Sequence, residues 1–114
     1  MANYQEPPLD SVFHALADPT RRAVFTRLTQ GPATVSELAK PFEMALPSFL
    51  QHLKVLEESG LVTSKKEVRV RTCEAQIARL SAAEEWMAHQ RAVWEGRFDR
   101  LDAYLALLQK TEKE

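Results

Sequence analysis

Cysteine is almost missing from this chain of 114 residues. Cys73 stands alone, which rules out an intrachain disulfide, leaves no cysteine cluster for structural zinc and fits a reducing compartment. Glycine is scarce as well, and none of the three forms a phosphate-cradling loop or a nucleophile elbow. The three histidines, His14, His52 and His89, fall on separate expected helices with no evident shared cleft, so nothing argues for an enzyme or implies a cofactor. No apolar run approaches the roughly 18 residues of a membrane span, and MANYQEPPLD lacks the basic and apolar regions of a signal peptide. A cytoplasmic protein without membrane contact is expected. A strong charge of either sign is absent too: the net charge is −1 and the isoelectric point about 6.3. Any nucleic-acid face must therefore come from the placement of cations rather than their sum.

What is present is enough for one core, since 45% of the residues are hydrophobic in a chain of single-domain length. Residues 1–8, with two adjacent prolines and little to bury, read as a flexible arm, and 111–114 as a tail, around a domain at 9–110. In LDSVFHALA, the residues Val12, Phe13, Leu16 and Ala17 recur at helical spacing. Asp18 and Pro19 then read as the cap and first residue of a second helix, PTRRAVFTRLTQG, ended by Gly31 and Pro32. There Val24, Phe25 and Leu28 can face the core, whereas Arg21, Arg22 and Arg27 cannot all do so.

The stretch TVSELAKPFEMALPSFLQHLKVLEESGLV, residues 34–62, organises the rest. Thr34 and Glu37 form a capping box for a short helix that turns Val35, Leu38 and Ala39 inward and is ended from Pro41 on. A second helix restarts near Pro47 and stops at Gly60. Its positions Phe49, Leu50, Leu53, Val55 and Leu56 make an apolar side and leave Ser48, Gln51, His52 and Lys54 on a polar one. Two short helices around a tight turn are how a helix-turn-helix reader meets a major groove, although most helix pairs of small proteins bind no DNA.

After Gly60 the period becomes alternating. Leu61–Ser64 and Val68–Ile77 read as two strands of a hairpin with a basic tip, in which Lys65, Lys66, Arg69 and Arg71 can meet phosphates while Val68 and Val70 alternate to the other face. The last helix begins at Ser81, capped with Glu84, and runs to about Gln109. Trp94, Phe98, Leu101, Leu105 and Leu108 repeat at spacings of four, three, four and three, the stripe of a paired helix. With Trp86 and Tyr104 added, this aromatic surface calls for both the chain's own first helix and a second copy as cover.

HALADPTRRAVFTRL, TVSELA, LPSFLQHLKVLEESGLV and the basic RVRT hairpin together resemble the ArsR (arsenic-repressor) type family of bacterial winged-helix regulators, over about Leu9 to Leu108. The resemblance implies a mainly α fold with a small β-hairpin, a winged helix-turn-helix, and a long C-terminal helix for dimerisation. It also implies a homodimer that binds a two-fold operator on double-stranded DNA and usually represses until a signal lowers its affinity. Carried over by position, it puts the recognition helix at about 47–58 and the wing at about 61–77. Ser48, Gln51 and His52 fall on groove-reading positions, Lys54 on a phosphate contact, and Lys65, Lys66, Arg69 and Arg71 on wing contacts to phosphate or the minor groove. Val12, Phe13, Leu16, Trp94, Phe98, Leu101, Leu105 and Leu108 fall on the dimer interface.

Two departures stand out. Many relatives have glycine in the wing turn where this chain has Val68. Metal-sensing relatives carry paired cysteines in the helix matching VSELAKPF or Asp/His/Glu ligands along the last helix, whereas here only His89 is present and no metal site is expected. The signal is left as an unknown small molecule or a redox event at Cys73, which is either a buried small hydrophobe or a thiol activated by Arg69 and Arg71. The competing reading of the whole is a winged-helix protein-interaction module without specific DNA binding, for which Leu46 and Leu50 supply apolar surface.

Overall fold

The computed structural model describes residues 9–113, so the expected arm at 1–8 lies outside the described residues. The chain divides into two compact units, one ending at Ala83 and one beginning at Glu84.

In the first unit two helix starts rest on side-chain caps, at Asp18 and at Thr34. Helix α1 spans Leu9–Leu16 and buries Val12 and Ala15. Helix α2, Pro19–Leu28, follows an extended Asp18 whose carboxylate accepts the Arg21 amide at 3.1 Å, and proline fills the first position, where no amide donor is needed. Gly31, at φ +140°, and Pro32 follow it, and Ala33–Thr34 form a short strand, β1. Helix α3, Val35–Ala39, starts on the expected capping box: Glu37 N–H donates to Thr34 Oγ1 at 3.2 Å and Thr34 N–H to Glu37 Oε1 at 2.9 Å. The Thr34 amide, together with the Thr34 hydroxyl that also donates to Glu37 Oε1 at 3.1 Å, holds the Glu37 carboxyl below its ordinary range. Helix α4, Leu46–Glu58, buries Phe49, Leu53 and Leu56 along one side. It ends at Ser59 and Gly60, whose φ of +82° suits glycine, and the Ser59 hydroxyl donates to the Leu56 carbonyl at 2.7 Å.

Strands β2, Val62–Glu67, and β3, Val70–Ala75, pair antiparallel, and β1 adds to the far edge of β3, giving the order β1-β3-β2. The third strand is a finding the sequence did not announce, because two residues are too few for a period to register. Ala33 faces Cys73 and Thr34 faces Thr72, which ties the start of the helix-turn-helix to the root of the wing.

The hairpin also differs from expectation in its bounds. Lys65, Lys66 and Glu67 are ladder residues opposite Thr72, Arg71 and Val70, so the basic tip is strand and the turn is reduced to Val68 and Arg69. Val68 therefore does not alternate with Val70 on a face. It occupies the first turn position at φ +58°, 92% exposed, the conformation a tight hairpin turn usually gives to glycine.

The core gathers Val12, Val24, Phe25, Leu28, Leu38, Phe49, Leu53, Leu56, Leu61, Val62 and Cys73, with Phe42 against Phe49 at a centroid distance of 5.8 Å. One expectation is corrected here. Val12, assigned from the resemblance to the dimer interface, is 2% exposed and packed inside its own protomer, so it has no surface to offer a second chain. Of the three arginines of α2, which could not all face the core, Arg21 is buried at 9% exposure while Arg22 and Arg27 are exposed.

A 3-10 turn at Ile77–Leu80 leads into helix α5, Ser81–Lys113. Ser81 already has helical dihedrals, φ −54° and ψ −46°, so it is a helical residue and not the extended cap inferred from Glu84. From Glu84 onward the second unit is this one helix.

Candidate nucleic-acid interface

Helix α4 offers its outer side at Ser48, Gln51 and Lys54, all exposed, opposite the buried Phe49, Leu53 and Leu56. The spacing of three between each pair keeps the three polar groups on one stripe, within reach of a single groove wall. Serine and glutamine both donate and accept hydrogen bonds, and lysine brings a mobile cation.

Beside this stripe, α3, the start of α4 and the wing enclose an open groove of about 730 Å³, to which Thr34, Ser36, Leu46, Lys66, Arg69 and Val70 contribute. Lys65, Lys66 and Arg69 are exposed along the wing. Four cations, Lys54, Lys65, Lys66 and Arg69, thus lie on α4 and the wing of a chain that is acidic overall.

Two of the expected DNA contacts are already engaged within the protein. Arg71 Nη2 donates to both Glu57 oxygens at 2.6 and 2.7 Å, and its Nε donates to Ser64 Oγ at 3.1 Å; the Ser64 hydroxyl in turn donates to Glu57 Oε2. Its charge is neutralised by α4, so Arg71 joins the wing to the recognition helix rather than standing free for phosphate. His52 is one-quarter exposed, its Nδ1 3.0 Å from Arg21 Nη1 and 3.7 Å from Asp18 Oδ2. Sequence reasoning missed Arg21 in this cluster, and the only signal was its place three residues after the Asp18 cap. Burial pushes the Asp18 carboxyl up, but the Arg21 amide bond and attraction to His52 and Arg21 outweigh it and hold Asp18 below its ordinary 3.8.

Cys73 is fully buried between Ser64 and Ala33, and burial, reinforced by Glu57, pushes its thiol up despite Arg71. Arg69 lies in the turn and not on the Cys73 strand, so the activated-thiol reading loses one of its two cations. Among the described residues no group of three or more potential ligands could hold a metal ion.

On α5, the whole expected stripe is exposed in the protomer: Trp94 54%, Phe98 58%, Leu101 50%, Leu105 47% and Leu108 42%. Trp94 and Phe98 lie 6.1 Å apart, and the Arg97 guanidinium covers the Trp94 ring at 5.1 Å. On α1, Phe13 is 37% exposed and Leu16 packs partly against the core.

Residues 16–65 match a family model described as a helix-turn-helix domain. The HTH-type transcriptional regulator Rv2034 of Mycobacterium tuberculosis is 45% identical over 65 residues, 57% of this chain and 59% of that protein, so the match spans about three-fifths of that relative's length. The solution structure of the homodimeric winged helix-turn-helix DNA-binding domain Mb0332 from Mycobacterium bovis, described as a possible ArsR-family regulator, superposes with a TM-score of 0.57 at 26% identity, covering 74% of this chain and 81% of that one. The crystal structure of the ArsR family transcriptional regulator RHA00566 superposes with a TM-score of 0.73 at 57% identity, covering 76% of this chain and 96% of that one. On that identity and coverage, together with the helix-turn-helix and wing of the first unit, the chain belongs to the ArsR family of winged-helix transcriptional regulators.

Proposed function

We propose that the protein is a homodimeric, sequence-specific DNA-binding repressor of the cytoplasm. The observation that carries this reading is the exposed Ser48–Gln51–Lys54 stripe of α4 beside a wing with Lys65, Lys66 and Arg69 also exposed. Gln51 matches the amide geometry that pairs with an adenine edge, and Ser48 suits a base or a phosphate. Lys54 and the wing cations serve the phosphates, or the minor groove in the case of Arg69. The wing reaches phosphate with fewer cations than the sequence offers, because Arg71 is held by Glu57.

The α5 stripe supports dimerisation, since five large apolar side chains at coiled-coil spacing stand about half exposed on one helix. The homodimeric state of the Mycobacterium bovis domain supports the same reading. In the dimer the two α4 helices would enter successive major grooves about 34 Å apart, and a signal would act by changing the preference between two arrangements of the heads.

The test is fluorescence anisotropy on DNA from upstream of the protein's own gene, beside a scrambled duplex, at 50 and 200 mM salt. Tight binding to the native fragment, weakened by about 10³ or more across that range, is expected for 6 or more phosphate contacts. Equal weak binding to both duplexes and to other promoter fragments would sink the reading. The exposed Leu46 favours one alternative, a protein-interaction module. In that case Leu46→Asp abolishes capture of a partner protein, and no operator emerges from random DNA.

A further inference from the structure

Arg21 is a buried guanidinium, and all three of its nitrogens are engaged. Nε donates to the Ala15 carbonyl at 2.9 Å, Nη2 to the His14 carbonyl at 3.0 Å, and Nη1 lies 3.0 Å from His52 Nδ1. The two carbonyls end α1, where the helix dipole is negative, and the Asp18 carboxylate caps the same turn, so the buried charge is compensated on the spot.

The consequence is for the histidine. A guanidinium carries donors only and keeps its proton in proteins. His52 Nδ1 must therefore be the acceptor, its lone pair turned toward Arg21. In the neutral imidazole the proton then belongs to Nε2. Asp18 Oδ2, at 3.7 Å from Nδ1, lies beyond hydrogen-bond distance and does not replace Arg21 there. Nε2 has no hydrogen-bond partner among the described residues. Because none of the buried side-chain nitrogens and oxygens of non-exposed residues lacks a partner, Nε2 reaches solvent. His52 follows Ser48 by one helical turn on α4, so this outward N–H lies on the same helix flank as the Ser48 hydroxyl.

We infer that Arg21 is a positioning residue that fixes His52 as an outward hydrogen-bond donor, and that His52 uses this donor to read an acceptor on the operator. The inference rests on the DNA-binding reading above and goes further by naming the atom class recognised. Ser48 and Gln51 can each donate or accept, so alone they tolerate either kind of partner. His52 in this tautomer can only donate outward. It fits a purine N7, a guanine O6 or a phosphate oxygen, and it mismatches the amino groups of adenine N6 and cytosine N4.

Two experiments test the two halves. A long-range proton–nitrogen correlation spectrum of the imidazoles, taken on labelled wild-type protein near neutral pH without DNA, reads the tautomer directly. His52 protonated at Nε2 and bare at Nδ1 is expected, with a mixture of tautomers in Arg21→Met and the single tautomer kept in Arg21→Lys. A wild-type spectrum with the proton on Nδ1 overturns the inference, whatever the variants do.

The second experiment uses His52→Asn, whose amide oxygen can take the place of Nδ1 and keep the Arg21 bond while the outward donor is lost. Its urea midpoint should stay near wild type while operator affinity falls about 5- to 10-fold, the worth of one hydrogen bond. Operators carrying 7-deazapurines or single methylphosphonates distinguish base from backbone: one such substitution should weaken wild type and leave His52→Asn unchanged. Undiminished affinity of His52→Asn overturns the reading role. Failure of wild type to prefer any operator, with the Nε2–H tautomer intact, locates the failure in the DNA reading instead and removes the role of His52 with it.

Discussion

The pair formed by Glu57 and Arg71 makes opposite demands on stability and on DNA binding, and this permits a sharp test. One guanidinium nitrogen meets both carboxylate oxygens at 2.6 and 2.7 Å, and Ser64 bridges the two side chains. A hydrogen bond to a charged group contributes about 1.5–3 kcal/mol when well shielded. A solvated surface pair contributes about 0.2–1 kcal/mol. With Arg71 37% and Glu57 23% exposed, the coupling should lie between these limits, at about 1–1.5 kcal/mol.

Glu57→Gln, Arg71→Gln and the double variant, unfolded in urea at one protein concentration, give the coupling as the failure of additivity. The same variants are then titrated with operator DNA over a range of salt. Because Glu57 already neutralises Arg71, Arg71→Gln should leave the salt slope nearly unchanged. Lys65→Gln or Lys66→Gln should each lower it by about 0.9, the signature of one lost phosphate contact. Glu57→Gln should lose stability and yet steepen the salt slope, as the released Arg71 reaches phosphate. A coupling below about 0.3 kcal/mol, or a full-unit drop in slope on Arg71→Gln, would refute the reasoning.

Three further outcomes follow from single sites. Val68→Gly should stabilise the protein by on the order of 0.5–1 kcal/mol, because left-handed backbone costs a β-branched residue about 1–2 kcal/mol and glycine returns part of that gain in chain entropy; a lower urea midpoint would contradict it. Asp18→Ala should cost about 1 kcal/mol at neutral pH through loss of the α2 cap. The Asp18 carboxyl is held below 3.8, so its contribution is complete above that pH and is lost as pH falls through the lower folded value; Asp18→Asn should flatten acid unfolding below about pH 4, and an unchanged acid limb would count against the assignment. Cys73 is fully buried and its thiol is pushed up, so iodoacetamide should label it only in urea, and Cys73→Ala should match wild type in any release of DNA by peroxide; rapid labelling of the native protein would reverse this.

The sequence by itself determined what depends on near neighbours along the chain. Asp18 with Pro19 announced α2, Thr34 with Glu37 announced α3, and the spacing of Phe49, Leu53 and Leu56 announced the buried side of α4, because caps and helix faces are interactions over three or four residues. The motif strings of the same segments were sufficient to indicate the family. The exposed members of the proposed interface, Ser48, Gln51, Lys54, Lys65, Lys66 and Arg69, were legible as solvent-facing residues, since a polar side chain opposite a buried stripe or at a hairpin tip has mostly solvent to face.

What only the tertiary structure decided is which polar side chains are already taken. His52 finds Arg21 across 31 residues, and Arg71 finds Glu57 across 14. Neither partner leaves a periodic trace, and a charge meant for a phosphate is written with the same letter as a charge held by a carboxylate. Val12 shows the same for apolar groups, because helical spacing marks a side chain for burial without saying whether its own core or a second chain will cover it. The two-residue strand Ala33–Thr34 exists only because β3 passes beside it. Hydrogen bonds and packing between distant segments depend on distance in space, and the order of residues encodes that distance only through the fold as a whole.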